Sequence, residues 1–371
     1  IRPFLEEVIG LVRQRADALA DATGLARYDA LLETYEPELR VKDIEPVFED
    51  LKAFLPGLLD QVLGRQLDPL PLEGPFPVEN QRLLCEEVMR TLGFDFTRGR
   101  FDVSHHPFCG GVPDDTRITT RYSQTRFFES LMATCHETGH GLYDQGLPRD
   151  WREQPVGGAL GMAVHESQSL LMELQVCRSQ PFLEHLAPSI RKAFGRQVTD
   201  RAWHAENLYR HAIHVERGFI RVDADEITYP LHVILRFELE RALLDGKLAV
   251  ADLPEAWDDA MQRYLGLSTR GDNSNGCMQD VHWYSGALGY FPTYTLGALG
   301  AAQWFASASK EIPDLQEAIR QGDLRPLLDW LRRNIHERGR QTTLQPLFEA
   351  VTGSKLDAGF YKRHVAARYL S

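Results

Sequence analysis

The chain is predicted to be mostly α-helical, a single large helical domain carrying one small β-ribbon. Three observations lead there. Apolar residues recur at i, i+3, i+4 spacing through long stretches on both sides of the middle of the chain. Only residues 99–122 carry strand-like alternation with β-branched residues. No composition shift, charge block or Gly/Ser linker divides the 371 residues, so 1–371 reads as one unit.

Taken in order, residues 2–22 are amphipathic, with Pro3 in the first turn and acidic residues just after it, which suits a helix. The pattern repeats over 43–63, with an interruption expected at Pro56, and again over 79–92. Between them, 68–77 (DPLPLEGPFP) is too proline-rich for regular structure and reads as a tethered loop. These first helices are read as scaffold. Residues 100–108 and 117–122 are the alternating runs, parted by turns at Gly110-Gly111 and Pro113-Asp114-Asp115. A β-hairpin or three-stranded ribbon is expected there, with Arg117, Thr119 and Arg121 on one polar face.

Residues 126–146 contain no proline and begin with apolar residues at helical spacing. A polar loop over 146–158 leads to a second helix, 159–178 (ALGMAVHESQSLLMELQVCR), which is apolar on most sides and therefore buried. Further helices are expected over 181–195, 199–214, 226–244 and 253–265. The glycine-rich passage 271–276 opens a loop-like stretch dense in His, Trp, Tyr and Gly that suits a ligand-facing wall. Within it Trp283 and Phe291 are expected to pack in the core. From 296 onward the helices read as scaffold again.

Charge narrows the function. With 41 Lys+Arg against 53 Asp+Glu the formal net charge is −12, which argues against nucleic acid or an anionic membrane as partner. No apolar run approaches the ~18 residues that span a bilayer. Five scattered cysteines without C-x-x-C spacing fit reduced thiols in the cytoplasm better than a disulfide framework. Cys135, beside the first motif histidine, is read as a small core residue. The first residue is Ile1 rather than Met, so the sequence leaves a preceding leader open.

The chemistry concentrates at His136-Glu137-Thr138-Gly139-His140, an H-E-x-x-H pattern within the helix 126–146. Two histidines four apart lie about one turn apart on one helix face, so both rings can reach one ion. Glu137, projecting towards the same side, can take a proton from a water there. A hydrolytic zinc site wants three protein ligands and an open position. Glu166, on the buried second helix, is expensive there unless paired or bound to a cation, and is the favoured third ligand. His165 is the rival, pointing some 100° away around that helix. The metzincin arrangement would need Gly at 143 and His at 146, where this chain has Tyr143 and Gly146.

With these residues in view, the chain closely resembles the thermostable, Taq-type metallocarboxypeptidases. Six motifs in order carry the resemblance: His106-Pro107-Phe108, Asp115–Thr119 (DTRIT), HETGH at 136–140, HESQ at 165–168, IRVDAD at 220–225 and GCMQDVHW at 276–283. The resemblance implies a helical protein with a deep groove and the metal at its base, akin to the neurolysin and angiotensin-converting-enzyme type of peptidase. It implies His136, His140 and Glu166 as ligands of one ion per chain (zinc, with cobalt or manganese as alternatives) and Glu137 as general base. Arg221 would grip the substrate's C-terminal carboxylate, while the ribbon with Arg117, and His106 beside it, would bind substrate at one end of the groove. In the family the metal helix lies much further along the chain, which implies an N-terminal stretch missing here. A homodimer is also implied.

The expected activity is metal-dependent removal of single amino acids from peptides with a free C-terminus. His282 with Tyr290 or Tyr294 would donate to the developing oxyanion from the wall facing the metal. Asp280 is considered as a partner for a histidine ligand. The rival readings are an endopeptidase or dipeptidyl carboxypeptidase, and a non-catalytic metal or peptide binder; retention of Glu137 weighs against the last.

Overall fold

Fifteen α-helices and three short strands make up the structure, a computed structural model that describes residues 1–370. The first helix, α1 (Arg2–Thr23), buries Leu5, Ile9, Val12 and Ala16 along one stripe and stops at Gly24 in the left-handed conformation. A short helix, α2 (Arg27–Leu32), follows, and then α3 (Val41–Leu63). The break expected at Pro56 does not occur: α3 runs through Pro46 and Pro56. Each proline removes one helical hydrogen bond, but Leu51, Leu55, Leu58, Leu59 and Val62 are all buried on the same side. Burying five such side chains, at roughly 1.5–3 kcal/mol each, exceeds the ~3 kcal/mol a proline costs.

Beyond α4 (Val78–Leu92) come β1 (Gly99–Val103), β2 (Phe108–Val112) and β3 (Asp115–Thr120). They form a mixed sheet in the order β1-β3-β2, with β2 antiparallel and β1 parallel to the central β3. Ile118 is fully buried from that sheet, and Thr119 is buried too rather than sharing Arg117's solvated face. The 104–107 loop explains this: Ser104 lies 2.6 Å from the Thr119 hydroxyl, which also accepts the Phe108 N–H.

Next is α5 (Phe127–Gly146), the helix of the H-E-x-x-H motif. The stretch read as one helix over 159–178 is α6 (Met162–Leu170) followed by a π-helical turn, Leu171–Cys177. α6 lies in the centre of the molecule, and glycines let its neighbours approach it. A Cβ at Gly139 of α5 would fall 2.5 Å from the Gln168 carbonyl oxygen.

Further along are α7 (Gln180–Ala193), α8 (Ala205–Ala212), α9 (Tyr229–Leu244) and α10 (Leu253–Leu265). After a turn-rich passage comes α11 (Pro292–Glu311), which also packs on α6. There a Cβ at Gly297 would fall 2.7 Å from Glu166 Cβ. α12 (Leu315–Arg320), α13 (Arg325–Asn334), α14 (Leu344–Thr352) and α15 (Ala358–Leu370) complete the shell. Among the described residues no helix is long and apolar enough to cross a membrane.

Candidate metal centre

His136 and His140 leave α5 one turn apart, with ring centroids 5.0 Å from each other and planes at 80°. Because Gly139 lies between them with no side chain, α6 can come close enough to deliver Glu166. That carboxylate is buried, with Oε1 3.6 Å from His136 Nε2 and Oε2 3.4 Å from His140 Nε2. The three ligand atoms lie within 4.8 Å of one another. Such separations are long for hydrogen bonds. They match an ion held at the usual zinc distances, whose tetrahedral ligands stand roughly 3.3 Å apart.

Charge points the same way. Burial alone would push His136 down, but Glu166, Glu173 and Glu137 around it outweigh that and raise it to about 10. A cluster that holds a proton so tightly on a buried imidazole is short of positive charge at that point, as a cation site should be. His140 is neutral, pushed by burial down to about 4. Thus two nitrogens and a carboxylate converge, and the donor set fits a hydrolytic zinc site with an open position.

Each histidine is held from behind. His136 Nδ1 lies 2.9 Å from Glu173 Oε2, and the other oxygen of Glu173 accepts from Arg178 Nη2 at 2.8 Å. Burial pushes Glu173 up, yet Arg178 and His136 bring it down to about 2, so it is a carboxylate. His140 Nδ1 lies 2.6 Å from His165 Nδ1, and His165 Nε2 lies 3.1 Å from Asp144 Oδ1. The sequence rival for third ligand is therefore a partner of the second histidine. Asp280 partners neither ligand, contrary to the sequence reading. It is drawn away by two buried guanidiniums, accepting from Arg221 Nε at 3.0 Å and from Arg236 Nε at 2.5 Å. Glu137, next to His136, is nearly buried, and burial raises it to about 7 despite the opposing pull of His136.

The facing wall is aromatic and polar. His282 Nε2 lies 3.1 Å from the Tyr294 hydroxyl, and Tyr290 and Tyr294 meet edge to face at 5.1 Å. Burial holds both tyrosine hydroxyls protonated, and the charge of Glu166 is felt at both. His282 is pushed down to about 4, first by burial and then by Arg221, so it is a neutral ring. Arg221 is buried under this wall, donating Nε to Asp280 and Nη1 to the Tyr229 hydroxyl at 2.9 Å. Nη2 has no acceptor among the described residues. Gln279 Oε1 accepts the Arg221 N–H and Arg236 Nη2, both at 2.8 Å.

His106 and Arg117 stand apart from the cluster. His106 is exposed with its ring on the Pro107 carbonyl. Arg117 is exposed and pairs with Asp115 at 2.7 Å. A separate cavity of about 730 Å³ lies at the C-terminal end of α5, lined by Arg98, Gln145, Trp151 and Arg332 among others, and includes none of the cluster. Sequence reasoning missed Glu173, Arg178, Tyr229 and Arg236. For Glu173 a signal existed, since it follows Glu166 by seven residues and returns to the same helix face.

Comparison with known proteins bears on this geometry. Residues 1–369 match the family model described as carboxypeptidase Taq (M32) metallopeptidase. The chain is 41% identical over 377 residues to thermostable carboxypeptidase 1 of Thermus thermophilus, covering 99% of this chain and 73% of that protein. Identity to the protein of the same name from Pyrococcus furiosus is 37%, covering 99% and 74%. Among solved structures, Trypanosoma cruzi metallocarboxypeptidase 1 superposes with a TM-score of 0.96 at 41% identity, over 100% of this chain and 77% of that one. With a matching fold and a match along nearly its whole length, the chain belongs to the carboxypeptidase Taq (M32) metallopeptidase family and is a metal-dependent carboxypeptidase.

Proposed function

We propose that His136, His140 and Glu166 hold one zinc ion, cobalt or manganese being able to substitute, and that Glu137 is the general base. Bound there, the metal supplies a Lewis acid that polarises the scissile carbonyl and makes a water acidic enough to react near neutral pH. Glu137 removes a proton from the attacking water and passes it to the leaving amine. Its raised proton affinity suits both halves of that transfer. On the far wall, a hydroxyl of Tyr290 or Tyr294, or the N–H of neutral His282, donates to the developing oxyanion. One such donor is worth about 3–4 kcal/mol in other enzymes.

Arg221 sets the exopeptidase register. Its Nε and Nη1 are anchored on Asp280 and Tyr229, which leaves Nη2 to grip the free C-terminal carboxylate of a peptide. His106 and Arg117 would contact substrate further out, at the sheet end of the groove. The resemblance supports a homodimer, which size-exclusion chromatography with light scattering tests, and five scattered cysteines without C-x-x-C spacing support a cytoplasmic location. We take residues 1–371 as one catalytic domain.

The observation that carries this reading is the convergence of His136, His140 and Glu166 with Glu137 beside them. The test is release of the C-terminal amino acid from short unblocked peptides, with zinc or cobalt added. Glu137→Gln should keep the metal and lose about 10²–10⁴-fold in kcat. Arg221→Gln should raise KM for unblocked peptides and leave C-terminally amidated ones unaffected. Equal damage to both substrates would remove the carboxylate grip, and brisk cleavage of amidated peptides by the wild type would point to an endopeptidase.

A further inference from the structure

The two ligand histidines are supported unequally. His136 rests directly on a carboxylate, Glu173, whereas His140 reaches its carboxylate, Asp144, only through a second imidazole. From this asymmetry we propose that His165 is a positioning residue that fixes His140 in the tautomer able to bind the metal. The proposal rests on the assignment of His140 as a ligand.

The argument is one of proton placement. With His140 Nδ1 and His165 Nδ1 2.6 Å apart, a single proton lies between them, on one ring or the other. A metal ligand needs a bare Nε2, so a neutral His140 carries that proton at Nδ1. With it on His140, every contact is satisfied. His140 Nδ1–H donates to His165 Nδ1, and His165 Nε2–H donates to Asp144. His140 Nε2 is then bare on the side of Glu166, as a ligand must be. Asp144 lies four residues beyond His140 on α5, one turn along the same face, and the imidazole from α6 bridges the two. A structural consequence is that the site avoids a further carboxylate in direct contact with a ligand. Glu166 and Glu173 already contact the histidines, and Asp144 is kept one ring away, where it is partly solvated.

Three variants and one spectrum test this. His165→Phe removes the acceptor and should weaken zinc binding about 10–100-fold, read by competition with a chromophoric chelator. His165→Gln can present an amide oxygen to His140 Nδ1–H and should restore most of that loss. Asp144→Asn, whose amide can face either way, should fall between them. If His165→Phe fails to fold, the wild type still decides. Long-range ¹H–¹⁵N spectra of the zinc-loaded protein should show His140 protonated at Nδ1 and His165 at Nε2. The opposite tautomers would overturn the proposal, as would a folded His165→Phe that binds zinc as tightly as the wild type. A wild type with no zinc affinity would instead remove the metal centre itself, and the proposal with it.

Discussion

Glu36 sits fully buried against the start of α6, where the residue before the helix is Gly161, with no side chain to cap the free amides. Its Oε2 accepts the Ala163 N–H at 2.7 Å, acting as a cap brought in from 127 residues away, and Oε1 has no partner. Burial raises this carboxyl to about 8. In the folded protein it therefore keeps its proton where the unfolded chain has lost it. Its stabilising contribution is complete below the ordinary glutamate range and is lost as pH rises through about 8. Between those limits stability should fall by about 1.4 kcal/mol per pH unit from this group. Urea unfolding of the wild type and Glu36→Gln from pH 5 to 8 checks this, the glutamine variant showing the flatter profile. Asp280 makes the opposite kind of case. It compensates two buried guanidiniums, so Asp280→Asn should destabilise by about 3–5 kcal/mol and should raise KM, because Arg221 loses its anchor. Denaturation and steady-state kinetics on the same preparation read both effects.

At the level of helices, small residues decide whether the ligands meet. Gly139→Ala would put a methyl 2.5 Å from the Gln168 carbonyl oxygen and 2.6 Å from Ser169 Cα, backbone atoms that cannot step aside alone. It should destabilise by about 1–3 kcal/mol and loosen zinc binding by shifting Glu166 away from the histidines. Gly10→Ala, in α1 with nothing within 4 Å, should instead stabilise by about 0.5–1 kcal/mol. Thermal unfolding and zinc competition on the two variants separate packing from propensity. The same contrast explains what was legible in the sequence. α1, α5 and α10 could be read from apolar periodicity, because one face of each meets the core and the pattern records it. HETGH could be read because its chemistry demands fixed residue types at short spacing, and Glu166 because a carboxylate on a buried helix needs a partner or a cation. The passage through Pro56 was not legible, since burial on the far side of α3 decided it. Nor was the parallel pairing of β1 with β3, which depends on the 104–107 loop crossing over. Asp280 misled for a related reason: its partners, Arg221 and Arg236, stand 59 and 44 residues away in the chain.

Over the whole molecule, the metal cluster is assembled by helices that are already packed, with α6 held against α5 and α11 by contacts independent of any ion. Chelation should therefore abolish peptide hydrolysis while leaving far-UV circular dichroism unchanged. The melting temperature should drop only by the lost binding energy, RT ln(1 + [Zn]/Kd) at the free zinc concentration. Coincident loss of helicity and activity on chelation would mean that the ion builds the fold. Glu166 approaches His136 at Nε2, and Glu173, seven residues later in the π-helical turn, approaches the same ring at Nδ1. A single stretch of backbone thus grips both edges of one imidazole like the jaws of a calliper, and the span between the jaws is set by residue count. Inserting or deleting a residue between 166 and 173 would swing one jaw about 100° off the ring. The connection over 147–161 bears no jaw, and its length sets no span between them. Descent should therefore hold the count from Glu166 to Glu173 constant.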